Sequence, residues 1–179
     1  MSHSSDRYCA VLGAEGVGLG RWHKNHHQWL GSRAFSSYVT QPAWEAAVDA
    51  LAALLAEHAV RGAQLRVLLS ARYSRFCLVP WSDAMGHPRE LDAYARACFD
   101  NLYGRPLDDW RILLSPVPAG AARIATALPE ALLQRLQALG QESRLSLRSV
   151  QPYLMAAYNR CWSQLEQGDF LFVLAEPRR

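Results

Sequence analysis

The sequence predicts a mixed α/β protein in two lobes, and three observations carry that reading. Apolar runs of strand length alternate with stretches of helical periodicity in the order βββαβ, then βαββ, then αβαβ. Two buried-strand patterns, Leu65 to Leu69 and Phe76 to Val79, are separated only by Ser70 to Arg75, so the backbone leaves one sheet there and starts another. Of the 179 residues, 50% are hydrophobic and 20% charged, which is enough apolar surface for one ample domain or two small lobes.

Each element follows from local chemistry. Arg7 to Leu12 reads as a strand, Gly13-Ala14-Glu15-Gly16 as a tight turn, and Val17 to Trp22 as the returning strand. Trp29, Phe35, Tyr38 and Val39 predict a third strand within Gln28 to Val39, with a bulge at Gly31-Ser32, completing an antiparallel meander. Thr40 as cap, Pro42 in the first turn, and Trp44, Val48, Leu51 and Leu55 at helical spacing predict a helix that Arg61-Gly62 closes. Pro80 ends the strand after the crossing because it has no N–H for a ladder, and Trp81 follows as an apolar anchor with one polar edge. Pro88 opens a helix with Leu91, Tyr94, Ala95, Cys98 and Leu102 on one side, ending at Gly104. Strands at Trp110 to Leu114 and Arg123 to Leu128 flank a turn-rich loop. Pro129 starts a helix with Leu132, Leu133, Leu136 and Leu139 inward and Gly140 near its end. A strand through Leu145, Leu147 and Val150, a helix from Tyr153 to Leu165 and a last strand from Phe170 to Leu174 complete the chain.

Composition narrows function. A net charge of +3, from 19 basic and 16 acidic residues, lends little weight to a nucleic-acid partner. Cys9, Cys77, Cys98 and Cys161 lack CxxC spacing and sit in apolar patterns, as small buried hydrophobes of a reducing compartment. No run approaches the roughly 18 apolar residues of a membrane span, and Met1 to Arg7 lacks the apolar core of a signal peptide, so a cytoplasmic location is expected.

Motifs of catalysis are sparse. His23, His26 and His27 have no acidic or cysteine companion and read as an exposed hairpin tip rather than a metal site. Glycines 13, 16, 18 and 20 lie between strands, whereas a phosphate cradle opens a helix, so turn and close-packing roles are expected. A two-metal nuclease needs converging carboxylates, and the early strands offer only Asp6 and Glu15. Ser70, Ser115 and Ser149 lie in no G-x-S-x-G elbow. No catalytic residue, metal or cofactor is expected. Arg72, Tyr73 and Arg75 with Trp81 mix basic and aromatic groups, a composition that suits stacked bases, a peptide groove or simple packing between lobes.

The element order resembles the first half of actin-like proteins, a ribonuclease H-like subdomain carrying a small inserted α+β subdomain. Three short motifs, Leu12 to Val17, Val67 to Ser70 with Leu78 to Trp81, and Ser149 to Asn159, carry a closer likeness. In them the chain resembles the PilM family of type IV pilus assembly and the GspL family of type II secretion. The resemblance implies a discontinuous subdomain of residues 1–70 and 129–179 with a βαββ insert at 71–128. It implies a non-enzymatic scaffold that holds a cytoplasmic tail peptide of an inner-membrane assembly protein, with self-association left open. The expected groove lies between the subdomains, near Arg72, Tyr73, Phe76, Trp81 and Tyr153. The alternatives are half of an actin-like ATP-binding protein or a nucleic-acid-binding ribonuclease H-like domain. Against the first, ATP-binding members carry an Asp-x-Gly turn that helps hold the metal; here Gly13 is the glycine and Val11 stands two before it. The family's second half would start at about Phe170, so only one wall of a nucleotide cleft is expected.

Overall fold

The computed structural model describes residues 7–23, 26–36, 41–82, 87–104, 106–165 and 168–176. Its strands are β1 (Arg7–Leu12), β2 (Gly16–His23), β3 (His26–Ala34), β4 (Gln64–Leu69), β5 (Arg75–Val79), β6 (Trp110–Leu114), β7 (Arg123–Pro129) and β8 (Ser146–Pro152). Its helices are α1 (Ala43–Glu57), α2 (Pro88–Tyr103), α3 (Glu130–Glu142) and α4 (Tyr153–Cys161). The mixed α/β architecture is the one the element order predicts. Contacts divide it into two compact units, Met1–Tyr73 with Leu132–Arg179, and Ser74–Ala131. The expected boundaries lay three residues earlier at both crossings. The backbone does leave one sheet after β4 and enter another at β5, because the two apolar runs belong to different ladders.

The first unit is a five-stranded sheet in the order β3-β2-β1-β4-β8. The meander β1-β2-β3 is antiparallel, and β4 and β8 add in parallel. Side chains alternate across a sheet, so parallel neighbours in register share a face. Tyr8, Ala10 and Leu12 of β1 lie beside Leu65, Val67 and Leu69 of β4, and all six are buried. On this face α1 packs along β1 to β3 through Ala47, Val48, Leu51, Leu54 and Leu55. Helix α3 buries Leu132, Leu136 and Leu139, and its buried Gly140 faces Leu147 of β8, where a Cβ would make ordinary contact at 3.7 Å.

The second unit is the βαββ insert, an antiparallel sheet in the order β5-β7-β6 with α2 on one face. Phe99 is its fully buried centre, packed with Cys77, Val79, Ala95, Ala125 and Ala127. Helix α2 begins as expected, with Pro88 at its first position and a capping box between His87 and Glu90, and Gly104 ends it in the left-handed region at φ 68°. Leu102, expected inward, is exposed, since Phe99 one turn earlier already fills the sheet-facing side.

Several expectations need correction. The run Phe170 to Leu174 is not a strand: among the described residues it has no place in either sheet. It is instead held by side chains, with Phe170 and Phe172 packing on Tyr158 of α4 at ring distances of 6.4 and 5.5 Å. Pro129 closes β7 rather than opening α3: it stands opposite Trp110, whose N–H donates to Leu107 O, so the ladder asks no N–H of the proline, and Glu130 N–H donates to Asp109 O just beyond. Strand β3 ends at Ala34, and Tyr38, Val39 and the Thr40 cap lie outside the described residues; Pro42 takes the cap position of α1. The bulge falls at Leu30, one residue before the expected site, where Leu19 pairs with Gly31 and Gly20 with Trp29. Helix α4 stops at Cys161 and continues only as a 3-10 turn, Trp162–Gln164.

Helix α1 ends four residues before Arg61. Val60 N–H donates to Leu55 O and Ala59 N–H to Ala56 O, a Schellman closure with Ala59, not glycine, in the left-handed position at φ 49°. Helix α3 repeats this: Leu145 N–H donates to Gly140 O and Arg144 N–H to Gln141 O, with Arg144 at φ 53°. Buried Val60 and Leu145 fix both closures from the apolar side, so the strain of a left-handed Cβ is tolerated.

Two outcomes follow for stability. Arg144→Gly relieves the left-handed strain and raises stability in urea unfolding by about 0.5–1 kcal/mol. Phe99→Ala lowers it by about 3–5 kcal/mol, and native-state hydrogen exchange shows the lost protection concentrated in β5, α2, β6 and β7.

Candidate functional site

The face of the five-stranded sheet opposite α1 carries the alternate residues: Arg7, Cys9 and Val11 from β1, Gly18 and Gly20 from β2, Arg66 and Leu68 from β4. Trp29 of β3 lies across Gly18, where a Cβ would come within 2.3 Å of its ring, so any larger residue would have to push this exposed ring aside. Helix α4 covers only part of the face, packing on β4 and β8. Two cavities lined by described residues open on it, and Tyr153 at the start of α4 lines both.

The smaller cavity, about 380 Å³, is formed by the β1–β2 turn, Val11, Gly18 and Trp29. It is where the resemblance places a metal-bound phosphate group, and its residues do not fit one. Val11 offers no oxygen to a hydrated magnesium ion. The backbone of the turn is engaged within the protein: Gly13 N–H donates to Gly16 O at 2.9 Å, and Glu15 O accepts from Phe35 N–H at 3.1 Å. Of the two acids in the wall, Glu176 accepts Ala71 N–H at 3.0 Å, and Glu15 also has a partner.

Tyr73 pins this turn. Its hydroxyl donates to Gly13 O at 2.9 Å, and only 3% of the residue is exposed. Burial pushes its phenol up to about 12, assisted by Glu176 and opposed by Arg72. The 3-10 turn Ala71–Tyr73 holds it there: buried Ser70 accepts Arg72 N–H on Oγ at 3.1 Å, and its own N–H donates to Leu12 O at 2.8 Å. Tyr73 is therefore not available on the surface as the groove expectation had it, because its ring and hydroxyl are used in holding the hairpin. Arg72 is exposed.

Phe76 and Trp81 belong to the insert. Phe76 lies on β5, an edge strand, and the Tyr103 hydroxyl caps its outward backbone: it accepts Phe76 N–H at 3.3 Å and donates to Phe76 O at 3.0 Å. Trp81, 39% exposed, lines a cavity of about 250 Å³ with Pro80, Leu91 and Arg123. The sheet face away from α2 carries exposed Leu78, Leu113 and Ile124, with Leu78 directly opposite Ile124. Arg75 is held inside the insert, with its guanidinium 5.7 Å from the ring centres of both Tyr103 and Trp110. Of the five groove residues, Arg72, Tyr73 and Tyr153 thus lie in the first unit and Phe76 and Trp81 in the second.

His23 pairs with His26 at the end of the β2–β3 hairpin, both exposed. Among the described residues no three His, Cys, Asp or Glu side chains are placed to hold a metal ion. Also among the described residues, no helix is long and apolar enough to cross a membrane. All four cysteines are free.

The residues missed in the sequence are Arg7, Arg66 and Arg160, which line the larger cavity, about 760 Å³. The signal was parity. Arg66 interrupts an apolar strand at the position that faces away from Leu65 and Val67, and Arg160 follows Tyr153 by two helical turns.

No protein-family model matches the chain, and no curated protein does. Solved structures do share its fold. The cytoplasmic domain of EpsL, an inner membrane component of the type II secretion system of Vibrio cholerae, superposes with a TM-score of 0.59 at 14% identity, over 85% of this chain and 59% of that one. A PilM-PilN type IV pilus biogenesis complex gives 0.56 at 14% identity, over 88% and 50%. A Bacteroides thetaiotaomicron protein with actin-like ATPase fold and unknown function gives 0.53 at 10%, over 90% and 58%. The fold is actin-like, as the resemblance implied, and the chain spans between 50% and 59% of these structures.

The Tyr73 pin has an alkaline signature. The folded chain keeps this proton to about pH 12, whereas an unfolded tyrosine loses it near 10. Between those values the folded state binds more protons, so its stability is full below about pH 10 and falls as pH rises toward 12. Absorbance titration of tyrosinate shows a late step near 12 that Tyr73→Phe removes, and the same substitution lowers stability at neutral pH by about 1 kcal/mol.

Proposed function

We propose that the chain is a non-enzymatic cytoplasmic adaptor that binds a short extended segment of an inner-membrane assembly protein. The observation that carries this reading is the surface of the insert. The edge strand β5 carries exposed Leu78 opposite exposed Ile124, and Trp81 borders a small cavity at the strand's end. A sheet edge supplies backbone pairing, and pockets at alternate positions select side chains, so such a surface recognises an extended peptide without any catalytic group. The hairpin cavity, with Val11 in its wall, gives no support to magnesium–nucleotide chemistry. The fold shared with a PilM-PilN complex and with the EpsL cytoplasmic domain supports the same assignment.

Tyr103 gives the proposal a specific handle. An incoming strand at β5 must displace its hydroxyl from Phe76, which costs the two hydrogen bonds it makes there. Arg72 and Tyr153 of the first unit are tested by their own substitutions.

Fluorescence anisotropy with cytoplasmic tail peptides of the inner-membrane proteins encoded beside this chain tests the reading. Micromolar binding is expected for one of them. Trp81→Ala weakens it about tenfold or more, as for a buried aromatic anchor, while Tyr103→Phe strengthens it by freeing the β5 edge. Absence of binding by every peptide at high micromolar concentration sinks the adaptor reading.

A further inference from the structure

We propose that the larger cavity on the open sheet face is a binding site for a small organic anion, a phosphate or carboxylate joined to a planar apolar group. Its volume of about 760 Å³ falls in the range of roughly 300–1,000 Å³ typical of small-molecule sites. Three arginines from three separate elements line it: Arg7 from β1, Arg66 from β4 and Arg160 from α4. No aspartate or glutamate is among the described residues of its wall. None of the three arginines has an ion pair among the described residues, in contrast to Arg33, Arg96, Arg111 and Arg135, which pair with carboxylates.

Arg66 is the most informative of them. It occupies the middle of a sheet between Cys9 on β1 and Ser149 on β8, where no carboxylate is in register to meet it. A guanidinium presents five donors in a planar fork and accepts nothing, so several of them converging on one concavity complement an oxyanion. Trp22 and Tyr153 add aromatic surface to the wall, beside Leu68, Ala156 and Ala157. A lone inorganic ion would leave that surface wet, so a ring attached to the anion is the better match. The cavity differs from the hairpin cavity at the other end of β1, and its arginines make magnesium unnecessary. All of its residues lie in the first unit, so the inference stands apart from the peptide surface of the insert.

The experiment is calorimetric titration of the full chain with phenyl phosphate, benzoate, adenosine monophosphate and inorganic phosphate, without magnesium. Expected is binding of at least one ring-bearing anion about tenfold or more tighter than inorganic phosphate. The phenyl phosphate and benzoate arms identify the preferred headgroup. Arg66→Gln and Arg160→Gln each weaken binding about tenfold, whereas Arg66→Lys, which keeps the charge, retains part of it; unchanged urea midpoints show that the fold is intact. Cys9 and Cys161 line the cavity, so the ligand slows their alkylation, mapped by mass spectrometry, and leaves that of Cys98 unchanged. The proposal is overturned by no binding at millimolar concentration, by equal affinity in the Arg66→Gln and Arg160→Gln variants, or by an identical effect of sodium sulfate at matched ionic strength.

Discussion

The in-register parallel pairing of β1 with β4 is the constraint on which the rest of the first unit depends. Tyr8 beside Leu65, Ala10 beside Val67 and Leu12 beside Leu69 commit one face of the sheet to the interior, and the period of two then sends Cys9, Val11, Arg66 and Leu68 to the other. Slippage by one residue would bury Arg66 without a partner and expose Val67. The buried face can tolerate no such error, so the open face inherits its geometry. Both cavities described above are consequences of that alternation and of the small residues, Gly18 and Gly20, on the neighbouring strand.

Where the chain leaves this sheet, Tyr73 ties the exit back to the first hairpin. The hydrogen bond from its hydroxyl to Gly13 O joins the residue before the insert to the turn that precedes β2. The turn is held in this way with apolar Val11 in the wall of the cavity beside it. One side-chain hydroxyl is enough to hold it. The same economy appears in the insert, where Tyr103 both donates to and accepts from Phe76 and so gives an edge strand the partner it lacks.

Much of the fold was legible in the sequence because its signals are local. The apolar alternation of β1, the Pro88 and Gly104 punctuation of α2 and the two short runs around Ser70 each name their own element. What local chemistry could not reveal was which partner an element finds. Phe170 to Leu174 has strand composition but meets an aromatic helix face instead of a ladder, and Ala59 takes a left-handed turn because Val60 is anchored in the core. The candidate site was legible only in part for the same reason. Tyr153 and Trp81 do line cavities, yet Tyr73 is consumed by packing, and Arg7, Arg66 and Arg160 converge only through strand order and helix placement.

The interruption of the first sheet by the insert has a kinetic consequence. During synthesis β4 emerges long before β8, and the whole of β5, α2, β6 and β7 lies between them. The insert, contiguous in the chain, can condense while β4 still presents an unpaired edge to the cell. Completion of the nascent domain therefore waits on the strand that begins at Ser146, and a ribosome stalled before it would leave an aggregation-prone intermediate for chaperones to shield.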